Sequence, residues 1–224
     1  MIDEKFINFI EILKKNYTGS VNPIIATDEP VVITWESDDN FYSPIKGSQC
    51  ELNFFVTDDV TYDNFYEFDE REYQVKISYK DSSNNYQLYW IGYMVNDQFT
   101  EALQSTPFNI SLKATDGLGT LKSFDMTLYQ DSYGSISARQ WITSTLENLD
   151  LELDIYVSQD IQILNPISTQ YSIYDVIFIN PYTLMKSKYD INTAYHVLEQ
   201  ILKITNTRIF QSFGKWYIIN NSSY

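Results

Sequence analysis

Alternating apolar and polar residues predict β-strands along the first half of the chain. The clearest alternation covers residues 73–79, where Tyr73, Val75 and Ile77 fall on one face and polar residues on the other. Asp, Ser and Asn residues at 81–85 predict a turn, after which residues 86–93 return as the partner strand of a hairpin. Similar runs predict three further strands, at residues 31–35, 47–56 and 108–114.

The apolar run near the start of the chain fits two elements. Phe6, Phe9, Ile10 and Leu13 have helical spacing, yet residues 9–13 are also rich in strand formers. Periodicity does not decide between a helix and a strand in so short a run.

Helical patterns appear in the second half. Ser137 is placed to cap a helix over residues 138–148, and a strand-like run follows at 151–157. Asn192 or Thr193 is placed to cap a second helix over about 193–205. The predicted buried stripe of that helix consists of Tyr195, Leu198, Ile201 and Leu202.

The remaining segments complete the predicted order. Residues 161–189 predict a loop-rich stretch in which Pro166 and Pro181 limit regular structure. The chain then closes on a hairpin formed by residues 207–211 and 215–219. We therefore predict a mainly β (β+α) protein with a β-barrel domain at 1–130 and a smaller α/β domain with two helices at 131–224.

Composition excludes several classes of function. The 224 residues carry 15 Lys and Arg against 30 Asp and Glu, a net charge of −15, which argues against binding nucleic acid through its phosphates. The 16% aromatic content fits strands and protein interfaces. The start of the chain lacks the layout of a secretory signal, and no apolar run is long enough to cross a bilayer.

The sequence contains few residues that could form a catalytic or binding site. Cys50, the one cysteine, shares a predicted strand face with Leu52 and Phe54, which is typical of a buried thiol. His196, the one histidine, lies beside the apolar stripe of the second helix and fits a structural or surface role. The sequence therefore predicts no catalytic, cofactor-binding or metal-binding residue, and no cofactor.

Acidic and glycine-containing clusters do not match known site patterns. The acidic clusters at 38–39, 58–59 and 63–72 lack the spacing of a calcium loop and fit solvated turns. Residues 116–119 contain two glycines but no following Lys-Ser/Thr, so they fit a turn after a strand. A glycosidase pair of carboxylates needs only spatial proximity, and the sequence leaves that alternative open.

Seven segments, in order, resemble the tail hub (baseplate hub) proteins of phages and prophages of Bacteroides-type bacteria. The resemblance covers about residues 9–220. The segments are PVVITWE at 30–36, SPIKGS at 43–48, EYQVKI at 72–77, LYWIGYMVNDQF at 88–99, PFNISLKATDGLG at 107–119, AYHVLEQIL at 194–202 and RIFQSFGKWYII at 208–219.

This resemblance implies a structural virion protein without enzymatic activity. Such a protein carries a tail-tube-like β-barrel followed by an α/β domain. It forms a homo-oligomeric ring of three, six or twelve copies that joins the tail tube or an adaptor to the tail tip. DNA passes through the lumen without sequence-specific binding, and the −15 charge permits an acidic wall that repels phosphates. The implied location is the virion, after synthesis in the host bacterial cytoplasm and without a membrane span.

The resemblance also implies roles for particular positions. Residues 9–13 become a strand of the barrel. Core or ring-forming roles are implied for Val75, Ile77, Leu88, Trp90, Ile110 and Leu112. The family usually continues beyond the equivalent of residue 219 into further β structure, so the chain is expected to be a short variant or part of a longer polypeptide.

Two other functions fit the same sequence. A carbohydrate-binding β-sandwich for host attachment would present two or three exposed aromatic side chains in a cleft. A tail-associated glycan hydrolase, the more remote alternative, would place two carboxylates a few ångströms apart in a groove.

Overall fold

The computed structural model describes residues 9–36, 43–57, 60, 65, 69–95, 105–126, 134–164, 170–186 and 192–222. The structure is mainly β, as predicted. Its chain forms two compact units, each contributed by two stretches of sequence: Met1–Trp35 with Ser48–Asp116, and Glu36–Gly47 with Gly117–Tyr224. The predicted division at residue 130 falls outside the described residues.

The first unit is built on a six-stranded antiparallel sheet. Its strand order is β1-β4-β5-β6-β3-β2, so β1 and β2 lie at the two ends. Among the strand pairings that the structure describes, β1 and β2 do not join, and the sheet is open. The strands are β1 (Phe9–Lys14), β2 (Ile25–Trp35), β3 (Ser48–Val56), β4 (Tyr73–Lys80), β5 (Tyr86–Met94) and β6 (Phe108–Thr115).

The predicted hairpin is confirmed as β4 and β5. Its turn is held by Asp81, whose carboxylate Oδ1 accepts hydrogen bonds from the backbone N–H groups of Ser83 and Asn85, both at 2.9 Å. Asn84 adopts the left-handed conformation, with φ of 66°, which asparagine tolerates well. The backbone hydrogen bond with Asn85 is the main cause of the lowered pKa of Asp81.

The run at residues 9–13 lies in a strand, β1, so the strand implied there by the family resemblance is confirmed, within a sheet whose described pairings are open. β1 pairs with β4 and places Ile10 opposite Ile77 and Ile12 opposite Val75. Both isoleucines pack against the core of the sheet. Tertiary pairing therefore decides the conformation of a segment whose local periodicity fits a helix equally well.

One face of this sheet forms the core of the first unit. Five of the six implied core positions are buried, and Leu88 is half-buried. A bulge after Ile77 shifts the register so that Leu88 lies opposite Ser78, whereas Trp90 lies opposite Ile77. The buried cluster comprises Cys50, Leu52, Phe54, Val56, Val60, Phe65, Tyr73, Val75, Ile77, Tyr89, Trp90, Met94, Phe108, Ile110, Leu112 and Ala114.

The second unit combines short strands with helices. Its three-stranded sheet has the order β12-β13-β8, with β8 parallel to β13, and two small sheets pair β7 with β11 and β9 with β10. The 3-10 helices cover Leu118–Ser123, Gln159–Ile161 and Pro181–Leu184. The other elements are β7 (Ile136–Ser137), α1 (Ala138–Glu147), β8 (Asp154–Val157), β9 (Gln162–Leu164), β10 (Gln170–Ser172), α2 (Ile173–Val176), β11 (Phe178–Ile179), α3 (Ala194–Ile204), β12 (Thr207–Ser212) and β13 (Lys215–Asn220).

The helix caps follow from the sequence. Ser137 caps α1 in a capping box with Gln140. Thr193, rather than Asn192, caps α3 and accepts a hydrogen bond from the backbone N–H of His196. Each cap satisfies a backbone donor that the helix itself leaves unpaired.

The predicted stripe of α3 is wrong at one position. The structure buries Val197, whereas Tyr195 is half-buried and lies beside Lys122, whose Nζ is 4.8 Å from the centre of its ring. The hydroxyl and the large ring of tyrosine favour this boundary position, where the ring contacts a cation. The buried positions of α3 are Ala194, Val197, Leu198, Ile201 and Leu202.

Candidate functional site

Cys50 is a core residue. Its side chain is fully buried in β3 beside Leu52 and Phe54, as the alternation predicted. Burial, together with the nearby Glu51 carboxylate, raises the pKa of the thiol far above its ordinary value. Because the thiolate is the reactive form, the structure gives Cys50 the properties of a packing residue rather than a nucleophile.

The burial of Cys50 predicts its reactivity. In the native protein we expect no measurable reaction of the thiol with Ellman's reagent over an hour. In denaturant we expect one thiol per chain to react at once, because unfolding exposes the sulfur and restores its ordinary pKa. A fast native reaction would contradict the buried position of Cys50.

His196 lies on the surface of α3. Its Nδ1 is 3.9 Å from Glu199 Oε2, and Glu199 also contacts Lys203 Nζ at 2.9 Å. His196 and Cys50 belong to different units of the chain. Since both nitrogens of this ring would need a partner in a catalytic triad, the observed contact with one glutamate supplies only half of that arrangement.

The acidic clusters contribute no described metal site. Residues 38–39, 58–59, 61–64 and 66–68 lie outside the described residues. In the described part of the last cluster, Asp69 Oδ1 accepts a hydrogen bond from the backbone N–H of Arg71 at 2.9 Å, an arrangement typical of a turn. Within the ranges that the structure describes, no three His, Cys, Asp or Glu residues group together as metal ligands.

A buried polar network lies at the start of β3, around Ser48. Asp116 Oδ2 accepts hydrogen bonds from the backbone N–H and the hydroxyl of Ser48, at 2.7 and 2.6 Å. Ser48 Oγ in turn accepts the indole N–H of Trp90 at 2.8 Å. All three side chains are buried. Because each donor has a nearby acceptor, the network fixes the positions of β3, β5 and the end of β6 instead of offering a reactive group.

A cleft of about 650 Å³ lies beside α3 in the second unit. Ile179, Leu184 and Ile204 form part of its apolar wall, and His196 and Gln200 are among its polar lining residues. No carboxylate is among the residues that the structure places in its wall. The carboxylate pair of a glycosidase is therefore not formed by this lining.

The open ends of the six-stranded sheet are the clearest candidate interface. In β1, Phe9 and Leu13 are exposed, and the ring of Phe9 lies 5.3 Å from that of Tyr86. Apolar residues that face the core from the two end strands are only partly buried: Ile10 and Ile12 in β1, and Val31 and Ile33 in β2. A strand at the end of a sheet also presents backbone groups that can pair with another strand.

The polar face of the same sheet carries balanced charges at two paired positions. Glu11 lies opposite Lys76, and Glu51 lies opposite Lys113. Opposite charges at such cross-strand positions attract each other. Each pair has no net charge, so the net charge of −15 comes from other residues of the chain.

Three aromatic residues form a ladder across the outer face of the second unit's sheet. Phe210, Tyr217 and Tyr156 lie at paired positions of β12, β13 and β8. The ring centres of Phe210 and Tyr217 are 5.8 Å apart with nearly parallel planes, and those of Tyr217 and Tyr156 are 4.9 Å apart. We call these three residues the aromatic ladder. The local patterns of the sequence do not predict this arrangement, because β8 pairs with β13 from a distant part of the chain.

Solved structures to which this chain is similar, at low sequence identity, include three tail proteins. No protein-family model matches the chain, and no curated protein matches it. Among solved structures, it is similar to the 43 kDa tail protein of prophage MuSo2 from Shewanella oneidensis. That alignment has 13% identity and a TM-score of 0.46, and it covers 96% of this chain and 54% of that one.

The chain is also similar to two further solved structures of tail proteins, at lower TM-scores. The tail protein from Neisseria meningitidis MC58 aligns with 9% identity and a TM-score of 0.43, over 84% of this chain and 44% of that one. A prophage tail protein from Listeria monocytogenes EGD-e aligns with 9% identity and a TM-score of 0.31, over 66% and 40%. The chain thus spans about half the length of the first two solved structures it matches.

No helix in the described part of the chain is long and apolar enough to span a membrane.

Proposed function

We propose that this protein is a non-enzymatic structural component of a phage tail, assembled with other tail proteins in the virion. Its copies form a ring, the tail hub, that joins the tail tube or an adaptor to the tail tip and leaves a channel for DNA. In this proposal the six-stranded open sheet lies in a tail-tube-like domain, residues 1–130, and the three-stranded sheet lies in the α/β domain, residues 131–224.

The observation that carries the proposal is the open sheet of the first unit. Both end strands, β1 and β2, leave core-facing isoleucine and valine side chains only partly buried. Pairing of β1 or β2 with a neighbouring copy would cover these side chains and satisfy the backbone groups of the strand edge. A closed ring leaves no such strand edge exposed. This matters in a chain with 16% aromatic residues, because aromatic residues favour strands and exposed strand edges can pair with other chains.

The network of Ser48, Trp90 and Asp116 supports a structural role. Its buried polar groups, at the start of β3, form hydrogen bonds within the first unit. Cys50 is likewise committed to the core of the same sheet. These side chains fix the inner strands β3, β5 and β6 of the sheet whose end strands, β1 and β2, the proposed ring would join.

A charge on β1 tests the proposed assembly. We expect Leu13→Lys to weaken self-association about tenfold in sedimentation velocity, because a lysine on an end strand opposes strand addition. Leu13 is exposed, so the fold should tolerate the change. Val21→Lys, at a position that is 94% exposed and lies outside the strands, is the matched control and should associate like the wild type. Equal association of all three proteins would overturn the role of β1.

A further inference from the structure

The turn between β12 and β13 holds a phenylalanine in a backbone conformation that bulky residues rarely adopt. Ser212 and Lys215 form the last pair of the hairpin, so Phe213 and Gly214 are the two residues of the turn. Both have positive φ, at 45° and 64°. Two-residue turns with this geometry favour Asn-Gly, Asp-Gly or Gly-Gly, because a large side chain is strained at positive φ.

Elsewhere the described part of the chain follows this preference. The other non-glycine residues that it holds at positive φ are all asparagine or aspartate: Asn16, Asn84, Asp150 and Asn206. Their short polar side chains tolerate the left-handed region. Phe213 is therefore the exception among the described residues, and the geometry of the turn does not explain the choice of phenylalanine. Strain of this kind points to a function for the side chain.

Phe213 also exposes a large apolar surface. Its exposed fraction is 53%, and its neighbours Ser212 and Gly214 have side chains too small to cover the ring. Lys215, which follows the turn, lies opposite Asp154, so the opposite charges beside the turn offset each other. The tip of the hairpin is thus an apolar knob. Burial of such a ring in a partner's pocket is a common anchor of protein interfaces.

From these observations we infer that Phe213 of one copy docks in the cleft beside α3 of a neighbouring copy. That cleft has a volume of about 650 Å³, which is ample for an aromatic ring and the turn that carries it. Ile179 and Leu184 supply apolar wall, and the residues that the structure places in the lining include no carboxylate. The inference rests on the proposed assembly of copies and adds a contact made by the second unit.

A second copy is the occupant that the proposed assembly favours. Copies joined through β1 or β2 hold their neighbours' clefts at a high local concentration, which strengthens a further contact between the same chains. The knob and the cleft are different surfaces of one unit, so their contact is head-to-tail. Contacts of this type repeat in one direction and close into a ring when the rotation between copies allows it.

Replacing Phe213 by asparagine separates the strain of the turn from the binding of the ring. We expect Phe213→Asn to raise the midpoint of thermal unfolding of the dilute chain by about 2–4 °C, because asparagine relieves the strain. The same variant should weaken self-association about tenfold in sedimentation velocity, because the knob is lost. Phe213→Tyr keeps both the ring and the strain and should match the wild type in both measurements. A lower midpoint or unchanged association for Phe213→Asn would overturn the inference.

Disulfide trapping tests the contact directly. Ser212→Cys places a thiol beside the knob and keeps Phe213, and Gln200→Cys places one in the cleft. Mild oxidation of a mixture of the two variants should give the mixed dimer in high yield, while Cys50 stays buried and unreactive. Adding Phe213→Asn to the Ser212→Cys chain should lower that yield several-fold. Ser222→Cys, at an exposed position outside the cleft lining, replaces Gln200→Cys as the control and should give only background.

The trapping experiment also separates this inference from the role of β1. Association that Leu13→Lys weakens, without a mixed disulfide above the Ser222→Cys background, would overturn the docking of Phe213 and leave the role of β1 intact. A mixed disulfide in high yield, with association that Leu13→Lys does not change, would support the docking of Phe213 and overturn the role of β1.

Discussion

Replacing Trp90 by alanine is expected to reduce the free energy of unfolding of the first unit by about 3–5 kcal/mol. Trp90 is fully buried in β5 at the centre of the core. The substitution removes the largest side chain of that core and leaves a cavity that neighbouring strands fill only in part. It also deletes the indole donor to Ser48 Oγ. Urea denaturation followed by far-UV circular dichroism measures the loss.

Two variants make this prediction interpretable. Tyr86→Ala removes an exposed aromatic ring from the same strand and is expected to cost about 1 kcal/mol or less. Ile77→Val, opposite Trp90, removes one buried methylene and should cost about 0.5–1.5 kcal/mol, which keeps the test available if Trp90→Ala does not fold. A loss for Trp90→Ala no larger than that for Tyr86→Ala would contradict the described core.

Replacing Leu198 by alanine is expected to destabilise the second unit by about 2–5 kcal/mol. Leu198 is fully buried in α3, the helix that packs against α1, β12 and the 3-10 helix at Leu118–Ser123. Alanine has a higher helix propensity than leucine, so the loss reports packing and not helix formation. Thermal and urea unfolding of the full chain measure it.

The matched control lies in the same helix. Ile204, the last residue of α3, is 65% exposed, and Ile204→Ala should change stability by about 0.5 kcal/mol or less. Both substitutions shorten an aliphatic side chain to alanine in one helix. Equal losses would show that α3 does not bury the face that the structure assigns to it.

Local sequence patterns predicted the elements whose conformation is determined by residues close to one another along the chain. The β4–β5 hairpin has strict alternation, and Asp81 bonds to the backbone of its own turn. The start of α1 carries its cap, Ser137, directly before the first turn. In these places the sequence contains both the periodicity and the stop signal, so the structure confirms the prediction.

Features that depend on distant pairing were not predictable in the same way. The run at residues 9–13 becomes a strand because it pairs with β4. Leu88 is only half-buried because the pairing of β4 with β5 contains a bulge. The alternation of residues 86–93 does not predict that bulge. Ile45 pairs with Ile209 of β12, so residues 36–47 belong to the second unit although they lie within the first in sequence.

The candidate functional features also divide into those that a local pattern predicts and those that depend on distant pairing. The burial of Cys50 follows from the alternation of a single strand. The aromatic ladder requires the parallel register of β8 and β13, which sets Tyr156 beside Tyr217 across about sixty positions of sequence. The alternation of β12 and β13 identifies Phe210 and Tyr217 as outward residues, yet nothing in the local pattern gives the position of β8. The network of Ser48, Trp90 and Asp116 is non-local for the same reason.

Absolute mass in solution is the most direct test of the proposed tail ring. Light scattering on the purified full chain, with negative-stain imaging of the same fraction, measures the number of copies and the shape of the assembly. The account predicts a closed ring of three, six or twelve copies with a central hole, and its mass should fall in the Leu13→Lys variant. A single chain that stays monomeric at every concentration would contradict it.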